Sequence, residues 1–241
     1  MAMDPRSSVF SQGRAGVAAD ARIDEGLRAH MLKVYNYMGS ALLLSGLVAY
    51  GVANTPAVMN AIYGSPLQWV VMLAPLGLVM LLSSRIHKMS ATAAQATFWI
   101  FAALMGASLA YIFVVYTQAS IVRVFMITSV TFGAMSLWGY TTKKDLSGFG
   151  SFLMMGLIGI IVASIVNIFM QSDMMQWVIS VIGVLVFVGL TAYDTQKIKN
   201  NYLESDGQAT MSKKAIMGAL TLYLDFINLF LMMLHLFGNR E

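Results

Sequence analysis

The chain is 241 residues long, 58% hydrophobic and 11% charged, with a formal net charge of +4 and a mean hydropathy of +0.71. That composition excludes an ordinary water-soluble domain. The absence of cysteine excludes disulfides and thiolate-held metals, and no basic stripe with interleaved aromatics points to a nucleic-acid partner.

Residues 1–30 are polar and carry Arg6, Arg14, Arg22 and Arg28, without the apolar core and small-residue cleavage site of a secretory signal. They read as a cytoplasmic arm, in which Asp24 and Glu25 before Leu27 open either a lead-in helix or an unstructured stretch. Apolar runs long enough to cross a hydrocarbon core of about 30 Å follow at 31–53, 67–84, 93–117, 121–140, 148–170, 174–196 and 215–237. Helices are required, because an open sheet would leave backbone groups unpaired in lipid and no alternating pattern suggests a closed barrel. The expectation is an all-α integral membrane protein: one domain of seven transmembrane helices over 31–237, followed by a short tail at 238–241.

Charge placement orients the spans. With the N-terminus inside, the inner segments hold every Lys and Arg of the 15 except Arg123 and Arg240, the bias expected of cytoplasmic loops. The C-terminus then lies outside.

Packing residues are visible within the spans. Ala103 with Ala107 and Gly106 with Ala110 make small-residue pairs that let helices approach closely, and Pro75 removes a backbone donor from the second span. The 20 methionines are scattered without a ligand spacing and read as flexible apolar filler. His30, His87 and His235 fall in separate segments and form no metal constellation.

Asp225 is the ionisable residue most in need of explanation. It sits about 15 Å into the last span, where a charge costs several kcal/mol unless it faces protein or water. Gly218, Thr221, Asp225 and Asn228 recur at three- and four-residue intervals, a small and polar stripe that should face the bundle. Asp194, near Thr191 toward the inner end of the sixth span, lies at a comparable depth, about 12 Å, if that helix continues to Tyr202. The two carboxylates could then meet, compete for one proton and titrate as a unit. They would also offer hard oxygen ligands to Ca²⁺ in competition with protons. Each aspartate could instead serve packing or, for Asp194, face solvent. Arg85, at the inner end of the second span, either reaches down to a carboxylate or snorkels to anionic headgroups.

The runs Tyr193-Asp194-Thr195-Gln196-Lys197-Ile198 and Leu222-Tyr223-Leu224-Asp225-Phe226-Ile227-Asn228-Leu229-Phe230 resemble the Bax inhibitor-1 family, also called the transmembrane Bax inhibitor motif family, and especially its bacterial members. The resemblance covers residues 33–237. It implies a central seventh helix surrounded by the other six, a bacterial cytoplasmic membrane, and an aspartate pair, Asp194 and Asp225, acting as pH sensor for a Ca²⁺ leak. It also implies an arginine on the second helix that locks the closed state. Arg85 is the nearest candidate, although it lies at a helix end without a distinctive motif.

Two functions follow. One is a proton-gated cation leak in which protonation of the aspartate pair releases a closed state, with Thr191, Thr221 and Asn228 as accessory polar groups and the bilayer, Ca²⁺ and protons as partners. The other is a regulatory partner of a membrane protease or stress-response complex, acting through the basic arm. An enzyme is not expected, because no nucleophile-and-base motif, zinc pattern or phosphate loop is present, and no cofactor is called for.

Overall fold

The computed structural model describes the backbone of residues 5–240 and the side chains of residues 24–240. The helices run α1 (Pro5–Ala53), α2 (Pro56–Tyr63), α3 (Leu67–Arg85), α4 (Ala91–Leu109), α5 (Ile112–Val115), α6 (Gln118–Thr141), α7 (Ser147–Met170), α8 (Asp173–Asn200) and α9 (Gln208–Phe237). Seven segments are long and apolar enough to span a membrane: Asp24–Ala53 of α1, α3, Ala91–Val115 across α4 and α5, α6, α7, α8 and α9. The chain is an all-α integral membrane protein.

Local chemistry explains the helix ends. Ser90, Thr117 and Ser172 accept the N–H three residues on at the starts of α4, α6 and α8, at 3.1, 3.3 and 3.3 Å, satisfying donors that a helix start leaves open. Helix α7 stops where Gln171 adopts a left-handed backbone, φ 49°. Helix α3 continues through Pro75, which is buried.

Spans begin and end close to where apolar runs place them, with three extensions. Helix α1 begins at Pro5, so the lead-in to the first span is helical, and of the four arm arginines only Arg28 has a described side chain. Helix α8 continues to Asn200, and α9 starts at Gln208, two turns before its apolar run.

Helix α9 is the axis of the bundle. In its apolar window 67% of residues are buried, against 17% in α3 and α7, and it packs against α8, α1, α6 and α4. The outer helices turn side chains such as Phe152, Ile158 and Phe169 outward, toward lipid rather than water. Small residues set the closest approaches: Gly106 of α4 lies on the α1 backbone at Ser45, and Gly139 of α6 on the α8 backbone at Ala192, leaving no room for a Cβ at either place. Ser45 uses that approach to bond Tyr223 of α9 and the carbonyl of Ala102, both at 2.6 Å. One hydroxyl thus ties three helices together. At the other end of α9, Asn239 N–H donates to Ser120 at 2.9 Å and Thr117 N–H to the Asn239 carbonyl at 3.1 Å, fastening the tail to the start of α6.

Candidate functional site

Helices α8 and α9 lie antiparallel, and Gly218 lets Ile198 close onto the α9 backbone. Deeper along the same contact, the carboxyl of Asp194 comes close enough to that of Asp225 for one proton to bridge them. Such a contact is attractive only while one carboxyl carries a proton. Asp225 is 6% exposed, and its Oδ2 meets no N–H or O–H donor among the described residues. An orphaned carboxylate oxygen in a membrane helix is a place where a proton or a cation has something to gain.

Asp194 is half-buried and lines a cavity of about 600 Å³ that opens among α3, α8, α9 and the 201–207 loop. Asp225 lies behind it, off the cavity wall. Gly218 and Thr221 line the same cavity, so the small and polar stripe of α9 faces inward as its spacing predicts. Thr191 and Asn228 do not line it; their side chains bond their own helix at the Phe187 and Leu224 carbonyls, both at 2.8 Å.

Basic groups surround the mouth. Lys197, one turn beyond Asp194 on α8, shares the cavity wall with it and with Lys213, His30 and His87. Lys214 closes the loop by pairing with Asp206 at 2.5 Å and donating to the Asn201 carbonyl at 2.8 Å. Tyr202 pins the same loop to α1, its ring 5.6 Å from that of His30.

Arg85 is placed elsewhere. It is exposed at the last residue of α3, does not line the cavity, and makes no ion pair among the described residues. Lys197, inside the α8 motif, lines the cavity with Asp194 instead, its ammonium over the Tyr193 ring at 5.7 Å.

Beyond Asp225 the axis is sealed. Phe226 stands 5.4 Å from the ring of Phe125 and 5.5 Å from that of Phe132, and Phe230 6.0 Å from Phe125. Leu229, Met233 and Leu234 are buried along the same stretch. Among the described residues no group of three or more His, Asp or Glu side chains gathers to hold a metal. Two carboxylates fall short of the six to eight oxygens Ca²⁺ takes, so Ca²⁺ at this pair would keep much of its water.

Sequence comparison decides the family. Residues 27–241 match the family described as Inhibitor of apoptosis-promoting Bax1. The chain belongs to the Bax inhibitor-1 family. It is 48% identical to the inner membrane protein YbhL of Escherichia coli K12 over 240 residues, 98% of each chain. It is 47% identical over 218 residues to an uncharacterized protein of Rickettsia prowazekii, 90% of this chain and 92% of that one. A Caulobacter vibrioides protein is 46% identical over 234 residues, covering 92% and 94%.

The Bax inhibitor-1 motif on α8 has a framework role that its sequence does not advertise. The ring of Tyr193 fills the notch at Gly150 of α7, where a Cβ has no room. Thr195 bonds Ser136 of α6 at 2.9 Å, and Ser136 bonds Tyr35 of α1 at 2.7 Å. Gln196 holds the α6–α7 loop at two points, accepting from Leu146 N–H at 2.9 Å and donating to the Lys144 carbonyl at 2.8 Å. Asp145 in that loop is held below the usual carboxylate range by the Ser147 hydroxyl and, next, by the Ser147 N–H, which it accepts at 2.9 Å. Lys199 donates to the Tyr140 carbonyl at 2.7 Å at the end of α6. The motif thus fixes α8 on three sides and leaves Asp194 facing the cavity.

Proposed function

We propose that this protein is a pH-sensitive cation leak, with Ca²⁺ as a transported ion, gated by the proton state of Asp194 and Asp225. The observation that supports the proposal is a buried Asp225 carboxyl, whose Oδ2 meets no hydrogen-bond donor among the described residues, beside an Asp194 that lines a cavity. In the closed state one shared proton links α8 to α9, and Lys197 favours the negative charge on the Asp194 side. A second proton removes the charged acceptor and with it the attraction of Lys197, so the link weakens and the helices part. Only a ligand with different affinity for two states can shift them, and the proton meets that condition here. The seal from Phe226 to Leu234 is then the barrier that must open. Basic residues at the cavity mouth favour a cytoplasmic mouth, with the N-terminus inside and the C-terminus outside, in a bacterial inner membrane like that named for the Escherichia coli relative. The activity is transport, with no catalytic chemistry assigned.

The experiment is Ca²⁺ entry into liposomes carrying purified protein, followed from pH 8 to pH 6. Flux rises on acidification in the parent. Asp225→Asn and Asp194→Asn displace the profile, because each leaves a single carboxyl that takes its proton beside an amide in place of a second acid. Three coincident profiles would reject the gate.

The second role for which a sequence feature speaks is regulatory: the basic arm could dock a membrane protease or stress-response complex. Deleting residues 2–23 separates the two, since loss of partner capture with unchanged flux would assign the arm its own role.

A further inference from the structure

A second concavity lies away from the aspartates, on the lipid side between α1 and α6. The backbones of these helices stay apart along it, and the space between them is about 430 Å³. Leu32 on one wall and Leu137 on the other are 52% and 63% exposed. Phe132 forms part of the base, and Tyr35 and Ser136 close it with their 2.7 Å bond. Gly133 sits on the α6 wall, and a Cβ built there meets nothing within 4 Å, so the groove is open at that point. From Phe132 to Tyr140 it runs about 12 Å along the helix axis, most of the depth of one leaflet of a ~30 Å core.

Its polar end has one sign. Arg28 lines the groove at the same end as Tyr140, is exposed and makes no ion pair among the described residues. Lys199 stands nearby, over the Tyr140 ring at 5.3 Å. An apolar slot one leaflet deep, crowned by a guanidinium, matches a single acyl chain below a phosphate. It does not match a helix, which is about 10–12 Å across and would meet the Tyr35–Ser136 bridge.

We infer that the α1–α6 groove is a binding site for an anionic phospholipid, with its phosphate on Arg28 and one acyl chain between Leu32 and Gly133. This site is distinct from the aspartate cavity and does not depend on its proton chemistry. It does touch the same framework: Ser136 bonds Thr195, the neighbour of Asp194, and the Phe132 ring lies 5.5 Å from that of Phe226, the neighbour of Asp225.

Native mass spectrometry of the full chain released from detergent tests the inference, using dioleoyl phosphatidylglycerol, dioleoyl phosphatidylcholine and free glycerol phosphate as probes. The parent retains one phosphatidylglycerol in preference to phosphatidylcholine by about fivefold, the weight of one basic side chain at an anionic headgroup. Arg28→Gln brings the two lipids to parity. Gly133→Leu fills the slot and loses retention of both. Leu32→Trp narrows it from the opposite wall and carries the same test if the glycine variant does not fold. Equal retention of both lipids by the parent, or parental retention by a folded slot-filling variant, would overturn the site. So would glycerol phosphate competing as well as the lipid, which would indicate a free-anion site, or a mass of two chains without lipid, which would give the groove to a second copy.

Discussion

The two halves of α9 solve opposite problems with one helix. From Gln208 to Thr221 it is basic, then small: Lys213 and Lys214 crown a cavity and Gly218 and Thr221 line it. From Phe226 to Leu234 it is mainly aromatic and aliphatic, buried against Phe125, Phe132 and their neighbours, with Asn228 bonding its own helix and Thr128 meeting Met233 at 3.4 Å. Asp225 lies between the two, next to Phe226. In the proposed gate a carboxyl at that boundary takes protons through the cavity and, by its link to α8, bears on whether the seal stays shut. Either half alone would be unremarkable. The wet half is a surface pocket, and the dry half is ordinary packing between helices.

The comparison breaks most readily in the dry half. Phe226→Ala removes a ring wedged between two others and leaves a cavity next to the pair, a change of about 3 kcal/mol in well-packed cores. Ca²⁺ flux at pH 8, where the proposed gate is closed, should rise several-fold, and resistance to denaturant should fall. Reduced stability with parental flux at pH 8 would place the barrier elsewhere.

A smaller effect is expected in the wet half. Lys197→Gln removes the positive charge that favours the carboxylate form of Asp194, so the acid-induced rise in flux should appear at higher pH. The displacement should be on the order of half a pH unit, the size of a charge pair worth a little under 1 kcal/mol. Arg85→Gln should leave the profile in place, because Arg85 does not reach the cavity. A displacement caused by Arg85→Gln and none by Lys197→Gln would reverse the assignment.

What sequence could and could not reveal follows the same physics. The spans were legible because a bilayer demands a minimum apolar length and tolerates few charges. Asp225 stood out for that reason: a mid-span carboxylate has no cheap explanation. Helix α9 began two turns early because Gln208 to Lys214 are polar yet helical, and hydropathy marks where lipid begins rather than where a helix does. Lys197 was passed over for Arg85 because choosing between them needs the rotation of α3 and α8 about their own axes. That rotation is set by contacts such as Gly139 on Ala192 and Tyr193 in the notch of Gly150, which join helices distant in sequence. Thr195 and Gln196 look like ordinary polar residues at a helix end, and their partners Ser136, Leu146 and Lys144 could not be named from the chain alone.

The smallest predicted effect decides whether the wet half owes its pH response to the cavity or to the hydrogen-bonded frame behind it. Tyr35→Phe removes the 2.7 Å bond to Ser136 while keeping the ring, and Ser136 retains its bond to Thr195. A hydrogen bond between membrane helices contributes about 0.6 kcal/mol, so unfolding in denaturing detergent should show a loss of roughly that size. The pH profile of flux should not move, since no titrating group near neutral pH and no cavity-lining side chain has changed. A displaced profile from this one hydroxyl would mean that α1 and α6 carry part of the gate, and the division of labour along α9 would have to be redrawn to include them.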